Sequence, residues 1–145
     1  MRIVGLDVGE RRIGVAVSDV TRTLARPIGV LQSTGLDDDA PRVAAAEVAR
    51  LAGEEDGVLS IVVGLPAHLD GSASAMTPRV RRFAAELGRL TDLPVTLQDE
   101  RLTSREAESR LAVRERDWRR RKERIDAAAA AIILQDYLDR LGSRD

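Results

Sequence analysis

The stretch from Val58 to Gly64 is nearly continuous in aliphatic side chains, with Val58, Leu59, Ile61, Val62 and Val63 in one run. A strand that is apolar on both faces needs a layer of structure over each face, which is the environment of a central strand in a helix-covered sheet. The elements around it fit such a sheet. Arg2 to Val8 reads as a strand, and Ile13 to Ser18 as a second, joined through Gly9-Glu10-Arg11-Arg12 as an antiparallel hairpin with a loop of about four residues. Pro27 precedes a third strand at Ile28 to Leu31. A helix begins near Pro41, a residue suited to the first helical turn, and runs to Ala52 before Gly53. After the central strand come a loop with Asp70-Gly71-Ser72, a helix from Ala75 to Leu90 and a strand from Val95 to Asp99. Thr103 with Glu106 forms a capping box for a short helix ending near Leu111. The last helix is expected at Ile125 to Leu141, stopped by Gly142.

Three hairpin-linked strands followed by alternating helices and strands give an α/β fold. The expected architecture is a mixed sheet of five strands, three antiparallel and two parallel, with helices on both faces. The 145 residues are enough for one domain, 1–145, with a real core and too few for two. Aromatic residues are scarce, namely Phe83, Trp118 and Tyr137, so Val, Ile, Leu and Ala must build that core. The absence of cysteine excludes disulfides, thiol catalysis and thiolate metal sites, and the single histidine, His68, excludes a multi-histidine site. No stretch approaches the roughly 20 apolar residues of a membrane span, and no basic-then-apolar leader pattern opens the chain. A cytoplasmic protein without membrane contact is expected.

Three acidic signatures stand at the ends of apolar elements. Asp7 ends the first strand, Asp99-Glu100 ends the strand before the short helix, and Asp126 opens the last helix. Isolated buried carboxylates are costly, so acids in such places usually have partners. Carboxylate oxygens are the ligands preferred by Mg²⁺ or Mn²⁺, and sites of that kind serve phosphate chemistry. Gly5 and Gly9 would let a ligand approach the backbone. Asp99 and Glu100 point to opposite sides if both are in the strand, so at most one faces Asp7. Asp126 shares a helix face with Ala129, Ala130, Ile133 and Tyr137. The bland alternatives are a turn cap for Asp7 and a helix-terminus charge interaction for Asp126.

Net charge is −1, but residues 114–124 hold seven basic and three acidic side chains, and Arg79, Arg81 and Arg82 form a smaller cluster. Basic segments beside an acidic site suit a polyanionic substrate; the bland alternative is a solvated, flexible loop. Lys122 is the single lysine beside 22 arginines, a compact ammonium able to contact phosphate or orient water. Ser18-Asp19 and Asp70-Gly71-Ser72 could hold polar substrate or simply make turns.

Read together, Gly5-Leu6-Asp7-Val8-Gly9, Arg12-Ile13-Gly14-Val15-Ala16-Val17-Ser18-Asp19, Val63-Gly64-Leu65-Pro66, Asp70-Gly71-Ser72, Asp99-Glu100-Arg101-Leu102-Thr103 and Ile125-Asp126-Ala127-Ala128-Ala129 closely resemble the YqgF/RuvX family, in order and over nearly the whole chain. The resemblance implies an RNase H-like fold and a Holliday-junction-resolvase-like nuclease implicated in maturing the 5′ end of the 16S rRNA precursor. It implies that Asp7, Glu100 and Asp126 are the catalytic, metal-binding acids, with Mg²⁺ or Mn²⁺ as cofactor. Arg12, Ser18, Asp70, Ser72, Arg101 and Lys122 are then expected to contact the substrate. A fourth acid, found in related resolvases, has only Asp19 and Asp70 as candidates by motif. The expected substrate is structured RNA, the 16S rRNA precursor. Alternatives are a DNA junction, which a homodimer would favour because a four-way junction needs two cuts, and a non-catalytic RNA-binding or transcription-associated factor. A sugar kinase or actin-like ATPase also begins with an Asp-x-Gly turn but needs two such domains.

Overall fold

The computed structural model describes residues 1–66, 74–99 and 118–142, with side chains throughout except at 118–125. Five strands form one sheet: β1 (Arg2–Val8), β2 (Arg12–Ser18), β3 (Ala25–Gln32), β4 (Val58–Leu65) and β5 (Val95–Asp99). Their order across the sheet is β3-β2-β1-β4-β5. The pairs β1–β2 and β2–β3 are antiparallel, and β1–β4 and β4–β5 are parallel. Three helices accompany them: α1 (Ala40–Ala52), α2 (Thr77–Thr91) and α3 (Trp118–Gly142). The mixed five-stranded sheet with helices on both faces is the one expected from the sequence, and β4 is an interior strand between β1 and β5, as its composition requires.

Alternation of side chains divides the core in two. Val4, Leu6 and Val8 of β1, Ile13, Val15 and Val17 of β2, and Ile61 and Val63 of β4 pack with Ala44, Val48 and Leu51 of α1 and Val80, Phe83 and Leu87 of α2. The opposite face is thinner. There Ile3, Ala16 and Val62 meet Ala130, Ile133, Leu134 and Leu138 of α3. Burying each of these larger aliphatic side chains is worth about 1.5–3 kcal/mol.

Small residues set how closely α3 lies on the sheet. A Cβ placed on Gly5 would stand 2.7 Å from Leu134 Cβ, and one on Gly14 would stand 2.0 Å from the carbonyl oxygen of Asp126. Only a residue without a side chain fits under the helix at either position. Two side chains fasten α3 across the sheet. Gln135 Oε1 accepts from the Ala25 N–H at 2.9 Å, and its Nε2 donates to the Thr23 carbonyl at 2.9 Å. On the other edge, Gln98 Nε2 of β5 donates to Asp136 Oδ2 at 2.6 Å, and Arg140 pairs with the same carboxylate at 3.3 Å.

Several boundaries differ from the sequence expectation: α2 starts at Thr77 rather than Ala75, β4 runs on to Leu65, and three further differences are more informative. β3 starts at Ala25 and includes Pro27, rather than beginning after it. A proline is tolerated there because β3 is an edge strand and its register against β2 shifts between Val15 and Ala16. The β1–β2 loop is three residues, closed by Gly9 N–H donating to the Arg12 carbonyl at 2.8 Å. The last helix starts at Trp118, not Ile125. Its early residues are Arg, Lys and Glu, all good helix formers, with no Gly or Pro to interrupt them. The short helix expected from Thr103 lies outside the described residues. Among the described residues no helix is long and apolar enough to cross a membrane.

Candidate active site

The β1–β2 hairpin and one turn of α3 bring two of the expected acids together. Along β1 the side chains of Ile3, Gly5 and Asp7 take the α3 face, because Val4, Leu6 and Val8 take the other. Asp7 is the one β1 residue that is not buried. Its register partner on β2 is Gly14, whose Cα is therefore about 4.5–5.5 Å away. The backbone of Asp126 rests directly on Gly14, as the 2.0 Å approach to a virtual Cβ shows. Asp7 and Asp126 thus lie on either side of a single glycine, at the C-terminal end of β1. Four residues further along α3, the carbonyl of Ala130 lies 3.2 Å from a virtual Cβ on Gly5. One helical turn therefore crosses from β2 to β1, which keeps Asp126 in step with Asp7.

The early start of α3 changes the reading of Asp126. It lies eight residues after Trp118, beyond the first turn where the helix dipole stabilises an acid. The helix-terminus explanation therefore fails, and Asp126 instead faces the strand ends on the same helix side as buried Ala129, Ala130 and Ile133. It is paired with Arg12: the guanidinium Nε is 3.5 Å from Asp126 Oδ2, with side chains 26% and 25% exposed. Arg12 shares the α3 face with Gly14 and Ala16, so β2 places it beside Asp126.

Asp99 ends β5 in an exposed position. Leu97 packs into the α1–α2 core and Gln98 reaches Asp136 on α3. By alternation Asp99 faces away from Asp7. Glu100, Arg101, Asp70 and Ser72 lie outside the described residues, as does the side chain of Lys122. Among the described residues no group of three His, Cys, Asp or Glu side chains stands close enough to hold a metal ion.

Ser18 and Asp19 do not join the site. Ser18 pairs at the opposite end of the hairpin, about 13 Å from Asp7 along the strand. It is 1% exposed, its Oγ accepting from Ile3 N–H at 2.8 Å and donating to the Asp19 carbonyl at 2.9 Å. Asp19 organises the β2–β3 turn, accepting from Thr21 Oγ1 at 2.6 Å and from the N–H groups of Thr23 and Leu24 at 2.8 and 3.2 Å. These hydrogen bonds, led by that from Thr21, hold its carboxyl at about 2, below the ordinary 3.8. A carboxylate so fully committed to a turn at the far end is not the fourth acid of this site.

Nothing in the sequence hints at the brace behind the β1–β2 hairpin. Arg79 of α2 pairs with Glu10 at 2.8 Å and with Asp37 at 2.6 Å, and Arg82 approaches Asp37 at 3.7 Å. The Arg79 hydrogen bonds hold the carboxyls of Glu10 and Asp37 below their usual range and push the guanidinium up. Arg79 belongs to the basic cluster that would suit a polyanion, but two carboxylates engage it. Its work is to tie the turn after Asp7 to α2.

Comparison with known proteins gives the family and the fold. Residues 1–140 match the sequence model of the family described as "RuvX: Holliday junction resolvase". A protein of Anaeromyxobacter sp. (strain Fw109-5) named "Putative pre-16S rRNA nuclease" is 44% identical over 139 residues, covering 96% of this chain and 97% of that one. One of the same name from Chloroflexus aggregans is 45% identical over 137 residues, covering 94% and 92%. In fold, the chain is similar to Thermus thermophilus RuvC, with a TM-score of 0.55, 15% identity and coverage of 98% and 97%. It is also similar to the fowlpox virus Holliday junction resolvase, with a TM-score of 0.59, 13% identity and coverage of 97% and 99%. A family match over almost every residue, and relatives above 40% identity along nearly their full length, show that the chain belongs to the RuvX family of resolvase-like nucleases.

Proposed function

We propose that this chain is a divalent-metal-dependent nuclease that hydrolyses phosphodiester bonds in the 5′ region of the 16S rRNA precursor, with Asp7, Glu100 and Asp126 as its metal-binding acids. The observation that carries the reading is the convergence of Asp7 and Asp126 across Gly14. An ordinary packing surface would not place two carboxylates together on the face where α3 closes on the sheet. The donors there are all oxygens, which suits Mg²⁺ or Mn²⁺ and not a softer metal. Asp99 faces the other side of the sheet, which favours Glu100 as the third acid.

A divalent ion bound by these acids would polarise the scissile phosphate and make water a stronger nucleophile at neutral pH. The chain supplies the rest. The strand fixes Asp7, and the two small residues Gly5 and Gly14 fix the height of Asp126 above it. Arg12, a planar fork suited to phosphate, stands at the edge of the same site. Arg101 and Lys122, with Asp70 and Ser72, are assigned to substrate contact on the family resemblance.

The relatives' name supports RNA as substrate, whereas the family's description favours a four-way DNA junction. One experiment separates these: cleavage of a 5′-extended 16S precursor fragment and of a four-way DNA junction, each with Mn²⁺, Mg²⁺ or EDTA. Wild type should cut the RNA only with metal. Loss of an outer-sphere partner alone typically costs about 10–100-fold, so Asp7→Asn should cost at least about a hundredfold. Preferential metal-dependent cutting of the junction would replace RNA by DNA. Binding without cutting, equal in wild type and variant, would leave a nucleic-acid-binding factor instead of an enzyme.

A further inference from the structure

Arg12 occupies a position that chain packing does not require. Its neighbours on the same face of β2, Gly14 and Ala16, are covered by α3, but Arg12 remains about a quarter exposed, with Nε 3.5 Å from Asp126 Oδ2. That separation is an ion pair and not a close hydrogen bond. The contact is loose enough to exchange with water or a dissolved ion. Two carboxylates held this near each other disfavour one another's charge unless a cation stands by. Arg12 offers one such cation from within the chain, beside Asp126.

We propose that Arg12 is the built-in counter-ion of the candidate metal site: it neutralises Asp126 while no divalent ion is bound, and yields the carboxylate when one arrives. This rests on the reading of Asp7 and Asp126 as metal acids. The two cations compete because they address the same carboxylate, and because a fixed positive charge nearby opposes a second one. The exchange also has a use. A guanidinium released at the edge of the site is free to take a phosphate oxygen of the substrate, for which its donor fork is well shaped. Metal loading would then be what makes Arg12 available, so that substrate is gripped best by the form able to cut it.

The test is equilibrium Mn²⁺ binding, followed by the electron paramagnetic resonance signal of the free ion, in the absence of any nucleic acid. Wild type, Arg12→Gln, Arg12→Met, Arg12→Lys, Asp7→Asn and Asp126→Asn are compared, with circular dichroism showing which are folded. Removal of one partly screened charge should tighten Mn²⁺ binding about fivefold in Arg12→Gln. Arg12→Met carries the same expectation should the glutamine variant fold poorly. Arg12→Lys, which keeps the charge, should stay near wild type. Unchanged or weaker binding in both neutral variants would overturn the proposal, since Arg12 would then merely orient Asp126 as a ligand. A different failure would be Mn²⁺ binding that is absent or indifferent to Asp7→Asn and Asp126→Asn. That would remove the metal-acid reading itself, and the counter-ion with it.

Discussion

At the scale of single residues, Gly14 does the most. It faces Asp7 across the hairpin and lies beneath the Asp126 carbonyl, where a methyl group would meet backbone that cannot swing aside. Gly14→Ala must therefore lift α3 or bend the hairpin, and overpacking of this kind costs about 1–3 kcal/mol or more. Urea unfolding should show that loss, and Mn²⁺ binding should weaken with it because the two acids move apart. A variant as stable as wild type would mean that α3 does not rest on β2 in this way. Asp19 offers a contrasting case, an acid whose work is purely conformational. Its folded carboxyl is more acidic than an unfolded one, at about 2 against 3.8. Its stabilisation is thus present above 3.8 and is lost as pH falls towards 2. Asp19→Asn should lower Tm at pH 7, and the gap to wild type should close as the pH is taken down through that window. A gap that persists at pH 2 would show that the charge of Asp19 is not what organises the turn.

At the scale of elements, legibility followed the strength of each local signal. β1 and β5 were read to the residue, and β4 to within one, because a run of branched aliphatics bounded by turn residues has few other homes. The start of α3 was misread. The arginine-rich segment before Ile125 has no apolar stripe, so it resembled a loop, yet propensity alone continues the helix through it to Trp118. That error displaced Asp126 from mid-helix to a terminus and gave its carboxylate a false explanation. Pro27 misled in the other direction: a proline reads as a strand breaker unless the strand is already known to lie at an edge. Of the candidate site, Asp7 and Asp126 stand out in the sequence because each is an acid on an otherwise apolar stripe. Their pairing through Gly14 was not, because strand register cannot be read from either strand alone. Gln135, Gln98 and Asp136, which lock α3 across the sheet, sit at ordinary polar positions and gave no signal at all.

At the scale of the whole molecule, the two faces of the sheet divide the labour. The α1–α2 face carries the larger side chains, with Leu6, Ile13, Phe83 and Leu87 all nearly or fully inaccessible. The α3 face uses glycine and alanine wherever the helix must come close, and the acids stand where that close contact ends. The bulkier packing is thus concentrated on one side and the candidate site on the other, joined through the shared strands. Leu87 and Gly5 test the division. Leu87 is fully buried on the first face, so Leu87→Ala should cost about 2–5 kcal/mol. Well below its lowered Tm it should nevertheless bind Mn²⁺ as wild type does, because nothing around Asp7 or Asp126 is touched. Gly5→Ala drives a methyl group against Leu134 and the Ala130 carbonyl and should weaken Mn²⁺ binding out of proportion to its effect on Tm. If the two variants instead lose metal affinity in step with stability, the sheet transmits strain between its faces. The acids would then be positioned by the entire core and not by the glycine seat under α3.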